Sequence, residues 1–335
     1  MITTFTANPS LDRTIELGSA LVRGGVQRAR TAGAQAAGKG VNVTRALVAA
    51  GVATLALLPG DDTDPVILGL AVDGLPHRAL PIGQPLRSNV TITEPDGTTT
   101  KVNEPGPSLD AAHQELVSAA LLHAATESSW IVLAGSLPPG VPAYFYAETI
   151  ARLHLGLGGR CPLIAVDTSD APLACLYDAP AGLPDLIKPN AEELAGLAGT
   201  HSEAELEASP ELAAAAARQL VDRGTTAVLA TLGARGALLV TAEGAWLATH
   251  SPIQARSTVG AGDSSLAGYL IAHDRGATPP ECLRSAVAYG AAAASLPGSL
   301  IPTPEQTSPE SVTVTPLAPA PADRLLAPST QTPKE

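Results

Sequence analysis

Four short stretches of this chain combine glycine, lysine, amide and carboxylate at spacings that suit the handling of anions. In Thr258-Val259-Gly260-Ala261-Gly262-Asp263-Ser264, two glycines permit a tight turn whose N–H groups point into one cavity. The residues that follow read as a helix, so Asp263 falls in its first turn. A carboxylate there can serve only as a partner for the helix dipole. It can also be a general base beside an anion hole, the arrangement that phosphoryl transfer to an alcohol requires. Ala36-Ala37-Gly38-Lys39-Gly40-Val41-Asn42 opens another helix. Its glycines let backbone amides approach an anion, and Lys39 adds a full positive charge.

Gly33 to Lys39 also matches the first seven positions of a P-loop. Gly40 stands where that motif needs Ser or Thr, so no hydroxyl is available for magnesium, and no strongly apolar strand precedes it. A flexible surface loop is the simpler alternative. Leu186-Ile187-Lys188-Pro189-Asn190-Ala191-Glu192-Glu193 ends a strand and begins a helix. Asn190 suits an N-cap. The spacing also places Asn190 and Glu193 one turn apart, where both could hold a hydrated magnesium ion. Thr231-Leu232-Gly233-Ala234-Arg235-Gly236 forms a glycine turn at the same sheet edge, and by itself is an ordinary loop. The patterns G-x-S-x-G, H-E-x-x-H, C-x-x-C and G-x-G-x-x-G are absent, and the seven histidines show no ligand spacing. A hydrolase triad, a zinc site and a dinucleotide fold lack support.

These stretches must be positioned by regular elements. Apolar runs predict strands at Ile2–Thr6, Ala53–Leu58, Trp130–Ala134, Leu163–Asp167, Asp185–Lys188, Ala227–Thr231 and Ala237–Thr241. Helical patterns lie between them: Val41–Ala50 before Gly51, a segment capped by Ser108, a segment from Ser209-Pro210-Glu211 to Gly224, and Asp263–Arg275 before Gly276. The alternation implies a mainly parallel sheet covered on both faces, with ligands at the strand-to-helix junctions. Arg13–Leu17 and Gly25–Thr31 read as strands with no helix between them. Arg87–Glu94 and Thr98–Asn103 flank Pro95-Asp96-Gly97, a hairpin turn signal. These four strands are more polar than the rest, and are expected to form a small second sheet acting as a lid.

The chain has 335 residues with a formal net charge of −12, enough length for a substantial core and no basic stripe for nucleic acid. The same balance argues against an anionic membrane surface, and no apolar run is long enough to span a bilayer. The N-terminus lacks the features of a signal peptide. Three scattered cysteines exclude a disulfide framework or a thiolate metal site, so a cytoplasmic location is expected. Eight prolines fall in the 34 residues from Pro302. That composition predicts one domain over residues 1–305 followed by a Pro-rich tail at 306–335, irregular or disordered beyond about Pro316.

Asn8-Pro9-Ser10-Leu11-Asp12, the Ala-Gly-Lys-Gly-Val-Asn stretch, Gly135-Ser136-Leu137-Pro138-Pro139-Gly140, Lys188-Pro189-Asn190 and Val259-Gly260-Ala261-Gly262-Asp263 occur in one order along the chain. Together they resemble the ribokinase-like sugar kinases of the phosphofructokinase B type, over about residues 1 to 305. Within that family, Asn8 to Thr14 and Thr100-Lys101-Val102-Asn103-Glu104-Pro105-Gly106 look most like the branch acting on fructose 1-phosphate. Relatives phosphorylate tagatose 6-phosphate or fructose 6-phosphate. The resemblance implies a three-layer α/β sandwich with a β-sheet lid, with ATP as co-substrate and Mg2+ as cofactor. By resemblance Asp263 is the base, and the amides of Gly260, Ala261, Gly262 and Asp263 form the anion hole. Asp12, Gly38, Lys39, Asn42 and Ser136 would meet the sugar phosphate, with Arg87, Asn89 and Lys101 reaching its phosphate from the hairpin. Lys188 and Asn190 would meet ATP phosphates, Glu193 would hold magnesium through water, and Thr231, Gly233 and Gly236 would lie along the nucleotide. Ala37 departs from the family's usual glycine. Three of the four lysines fall in this site, which concentrates cations in an acidic protein. A sugar-phosphate sensor without activity is the reading from another class. The exposed lid strands offer edges for a homodimer.

Overall fold

A computed structural model describes residues 1–178 and 182–318. The strands are β1 Ile2–Thr6, β2 Ser10–Leu17, β3 Ala29–Ala37, β4 Thr54–Pro59, β5 His77–Leu80, β6 Arg87–Thr93, β7 Thr99–Asn103, β8 Trp130–Ala134, β9 Leu163–Asp167, β10 Leu186–Ile187, β11 Ala227–Thr231, β12 Ala237–Thr241, β13 Gly244–His250 and β14 Val312–Pro316. The α-helices are α1 Lys39–Ala49, α2 Pro65–Val72, α3 Ala111–Ala125, α4 Phe145–Leu157, α5 Asp170–Ala174, α6 Ala191–Ala198, α7 Glu203–Ala208, α8 Pro210–Asp222, α9 Ala261–Asp274 and α10 Pro279–Ser295. Ten strands form one sheet in the order β14-β13-β12-β11-β10-β9-β8-β1-β4-β5, and four form a second in the order β3-β2-β6-β7.

The large sheet is parallel from β5 to β11 and antiparallel from β11 to β14. Its central strands are continuous apolar runs because both faces are covered. In β8, Ile131 and Leu133 enter a core with α3, α4 and α8, while Trp130, Val132 and Ala134 enter a second core with α1, α9 and α10. One strand thus feeds two cores with alternate residues. A third, smaller core joins α2 to Ala36 and Leu58. The C-terminal ends of the parallel strands share one edge, and the stretches after β10 and β11 begin there.

Three expectations change. The second lid strand is Ala29–Ala37 rather than 25–31. Its alanines and glycine have weak strand propensity, and it is held by full pairing with β2. The helix expected from Ser108 is capped by Asp110, whose side chain accepts the His113 N–H. The tail does not begin at 306. Val312–Pro316 adds an edge strand to β13, Val312 is 2% exposed, and Arg284 Nη1 donates to the Val312 carbonyl. Val312 joins the core shared with α10 and β13, and this burial outweighs the proline-rich composition around it. The remainder of the expected tail, 319–335, lies outside the described residues. No described helix is long and apolar enough to cross a membrane.

Candidate active site

Two helix N-termini converge on Asp263. Gly38 caps α1 at φ 136°, and a Cβ on it would lie 2.5 Å from Thr6 Cγ2. Gly40 is equally confined: a Cβ would come within 2.6 Å of Thr6 Oγ1. These glycines let α1 press on the end of β1, and the Thr6 hydroxyl accepts the Val41 N–H at 3.0 Å. One turn in, Asn42 Nδ2 donates to Asp263 Oδ2 at 2.8 Å, and both side chains are buried. Ala37, at the site of the family's glycine, ends β3 as a buried strand residue paired with Ser10.

Gly260 caps α9 in the left-handed region at φ 77°. Among the described residues, the N–H groups of Gly260, Gly262 and Asp263 have no backbone partner, whereas Ala261 N–H donates to the Thr258 carbonyl at 3.3 Å. The open amides of the expected anion hole are therefore three, not four. A Cβ on Gly262 would stand 3.1 Å from Lys188 Nζ, which places that ammonium directly over the first turn of α9.

The charges are closely coupled. Asp167 ends β9 with a fully buried side chain. Lys39 Nζ lies 2.7 Å from its Oδ1, and Lys188 Nζ lies 3.3 Å from its Oδ2. Burial pushes the Asp263 carboxyl above the usual range. The Asp167 charge pushes the same way, while Lys39, the Asn42 hydrogen bond and Lys188 oppose them. For Lys39, burial favours the neutral amine, but Asp167 and Asp263 together hold it charged and above its ordinary value. Burial also disfavours the charged form of Asp167, and Lys188 and Lys39 overcome this, so its pKa lies below the ordinary value. Asp167 was not singled out in the sequence. The available signal was a carboxylate ending an otherwise apolar strand, Leu163-Ile164-Ala165-Val166-Asp167, at the ligand edge.

On the nucleotide side, Asn190 caps α6 and is bound to Glu193 in a capping box: Asn190 N–H donates to Glu193 Oε2 at 2.8 Å, and Glu193 N–H to Asn190 Oδ1 at 2.7 Å. The capping role is thus filled, and it leaves one Glu193 oxygen and the Asn190 amide nitrogen free. Burial raises the Glu193 pKa. Asn190 bridges to Thr231, and the 232–236 turn closes through Leu232 N–H to the Gly236 carbonyl at 2.8 Å. Gly233 and Gly236 have φ of 55° and 96°. A side chain on Gly236 would strike the Ala248 carbonyl, so this turn packs flat on β13. No group of three or more His, Cys, Asp or Glu side chains suited to a metal occurs among the described residues.

The lid register sorts its residues by face. Ser10 pairs with Arg87, Asp12 with Asn89, Asn89 with Asn103 and Thr91 with Lys101, so all of them share one face. Asp12 Oδ1 accepts from Ser10 Oγ at 2.7 Å and from Asn89 Nδ2 at 3.0 Å, leaving Oδ2 for another donor. Arg87 donates Nε to the Asn8 carbonyl at 3.2 Å and Nη1 to the Glu104 carbonyl at 3.3 Å, and burial lowers its pKa. Lys101 is exposed and lies opposite Thr91, four residues along β6 from Arg87, or about 13 Å at strand rise. The lid therefore separates the two cations expected to act together. Ser136 is exposed after β8 and lines a cavity of about 270 Å³ with Ser169 and Asp170.

Comparisons with known proteins give the family. The model of the pfkB family of carbohydrate kinases matches residues 6–306. The 1-phosphofructokinase of Rhodobacter capsulatus is 34% identical over 318 residues, covering 94% of this chain and 96% of its own. The ATP-dependent 6-phosphofructokinase isozyme 2 of Mycobacterium tuberculosis is 34% identical over 308 residues, covering 89% of this chain and 85% of its own. Among solved structures, phosphofructokinase-2 from Escherichia coli in complex with potassium matches with a TM-score of 0.81 at 26% identity, covering 91% of this chain and 96% of that one. The chain belongs to the pfkB family of carbohydrate kinases. It is an ATP-dependent sugar kinase with the large α/β sheet and separate small sheet expected from its sequence.

Proposed function

We propose that this kinase transfers the γ-phosphoryl group of ATP to the C6 hydroxyl of fructose 1-phosphate, giving fructose 1,6-bisphosphate in the cytoplasm. The observation that carries the transfer step is Asp263, buried and held by Asn42, beside three open amides in the first turn of α9. Asp263 takes the hydroxyl proton as the new O–P bond forms. Asn42 orients the carboxylate, and the amides of Gly260, Gly262 and Asp263 meet the charge that develops on the phosphoryl oxygens. Lys39 and Lys188 bring positive charge from the two sides. Asp12 holds sugar hydroxyls from the lid, Asn89 stands beside Arg87 toward the sugar's phosphate, Gly38 keeps the backbone close to the sugar, and Ser136 borders the sugar pocket. Arg87 grips the phosphate already on the sugar, with Lys101 adding only a longer-range attraction. Asn190, Thr231, Gly233 and Gly236 line the nucleotide.

A hydrated magnesium ion suits Glu193, since such ions use one or two carboxylates plus substrate phosphates, and one Glu193 oxygen remains outside the capping box. When bound, the ion neutralises phosphate charge. The substrate assignment is supported by the relative from R. capsulatus. The mycobacterial relative favours a second reading, fructose 6-phosphate as acceptor. One coupled assay with ATP and magnesium tests both, with tagatose 6-phosphate as a third candidate. The highest kcat/KM is expected for fructose 1-phosphate, and a clear preference for either 6-phosphate would overturn the assignment.

The second face of the lid carries Ile15, Val90, Ile92 and Val102 around Arg13 and Thr100, as its register requires, while Leu11 on the same face packs on the α2 core. Val102 is 57% exposed. This apolar face fits a second copy of the chain, forming a homodimer through the lids.

A further inference from the structure

We propose that Asp167 is a positioning residue for the phosphoryl transfer: its two buried oxygens fix the ammonium groups of Lys39 and Lys188, so that both cations meet the transferring group from set positions. The proposal rests on the kinase activity described above. A carboxylate inside an anion-binding cleft repels the substrate, so its presence calls for a reason. Geometry supplies one. The backbone of Asp167 is locked into the sheet: it pairs with Ala134, its carbonyl accepts the Gly135 N–H at 2.9 Å, and Lys188 N–H donates to the adjacent Val166 carbonyl at 3.1 Å. Its side chain has no exposed surface. Two ammonium groups brought together in such a place repel each other, and the carboxylate between them offsets that repulsion. Lys39, Lys188, Asp167 and Asp263 together sum to zero charge, which makes the cluster, buried except at Lys39, tolerable without substrate.

The two contacts differ. Lys39 makes a full hydrogen bond at 2.7 Å, whereas Oδ2 has no aligned hydrogen-bond partner and Lys188 stands 3.3 Å away. Lys39 is therefore anchored, while Lys188 keeps freedom to lean toward a phosphate over Gly262. The charged groups that face Asp263 are Asp167, Lys39 and Lys188. Removing the Asp167 charge eases ionisation of Asp263, so the acid limb of kcat moves to lower pH.

The experiment compares wild type, Asp167→Asn, Lys39→Ala and the double variant. Asp167→Asn should lower kcat by at least about tenfold while moving the acid limb down. In the double variant the loss should fall well short of the product of the single losses, because Lys39→Ala removes the same ammonium that Asp167→Asn releases. Multiplicative losses with an unmoved acid limb would overturn the proposal. A readout independent of catalysis and of any variant is acylation of lysines in the wild-type protein at mildly alkaline pH, followed by mass spectrometry. Lys39 should react at least about tenfold more slowly than the exposed Lys101, because a paired ammonium is a poor nucleophile. Equal rates would show that Asp167 does not hold Lys39, even if the protein phosphorylates sugars well. A protein with protected Lys39 and no sugar-phosphate kinase activity would instead count against the proposed function alone.

Discussion

Replacing Gly262 by Ala separates the chemistry of the site from its stability. Gly262 has an ordinary φ and lies in the first turn of α9, where alanine is a better helix former by up to about 1 kcal/mol. The backbone therefore gains from the change. The added methyl lands 3.1 Å from Lys188 Nζ, closer than such contacts normally lie. The ammonium is the far end of a flexible chain, so it yields by a few tenths of an ångström at little steric cost. Yet Lys188 is only 5% exposed and is tied to Asp167 at 3.3 Å, so its escape leads away from α9 and away from the incoming phosphate. If an error of about 1 Å in placing a reacting group costs roughly 100-fold, a few tenths should cost about 3–10-fold. Steady-state kinetics and a melting curve on the same sample measure both effects. The expected result is kcat lowered by about that factor, with Tm unchanged or raised. Wild-type kcat would refute the placement of Lys188 against the transferring group, and a fall of several degrees in Tm would show that the methyl displaces backbone instead.

Arg87→Ala should raise the KM for the sugar phosphate by about tenfold or more through loss of a charge-assisted contact, while Lys101→Ala should stay within about threefold. The reverse order, measured in the same assay, would place the sugar's phosphate farther out on the lid. Deleting residues 319–335 should leave activity and Tm nearly unchanged, whereas deletion from Val312 onward removes a buried valine and the Arg284 contact. That second loss is about 3 kcal/mol, or roughly 5 °C in a thermal scan, and equal Tm values for the two truncations would refute it. By light scattering the wild type should be a dimer and Val102→Glu a monomer, and a monomeric wild type would remove the lid interface.

How much of this was legible in the sequence follows from burial. Strands such as Trp130–Ala134 and Ala227–Thr231 lie between two cores, so their apolar runs have sharp ends and were placed residue by residue. β14 is the edge strand and β13 lies next to it, both only partly buried, and their mixed composition, with prolines nearby, hides them. β3 was placed too early because its alanines carry no strand signal of their own and depend on β2 for pairing. Asp263, Asn42 and Lys39 were readable because glycines mark helix N-termini. Their convergence was not, since Asn42 and Asp263 are 221 positions apart. Asp167 escaped because its importance lies wholly in what two distant lysines do to it. Asn190 and Glu193 carried two compatible readings, and the capping box settles only what one oxygen of Glu193 does.

The central claim is that Asp263 accepts the proton from the sugar. Asparagine at this position keeps the size and can still meet Asn42 through its amide, yet it cannot take a proton. A carboxylate base is worth about 100- to 10,000-fold in rate. A rapid-quench measurement of a single turnover on Asp263→Asn, with fructose 1-phosphate and saturating ATP, therefore tests the account most directly. The expected result is a chemical step slowed by that factor, with ATP affinity little changed and Tm within a few degrees of wild type. A chemical step slowed less than tenfold, together with a fall in Tm, would contradict it and leave Asp263 as a charge at a helix end.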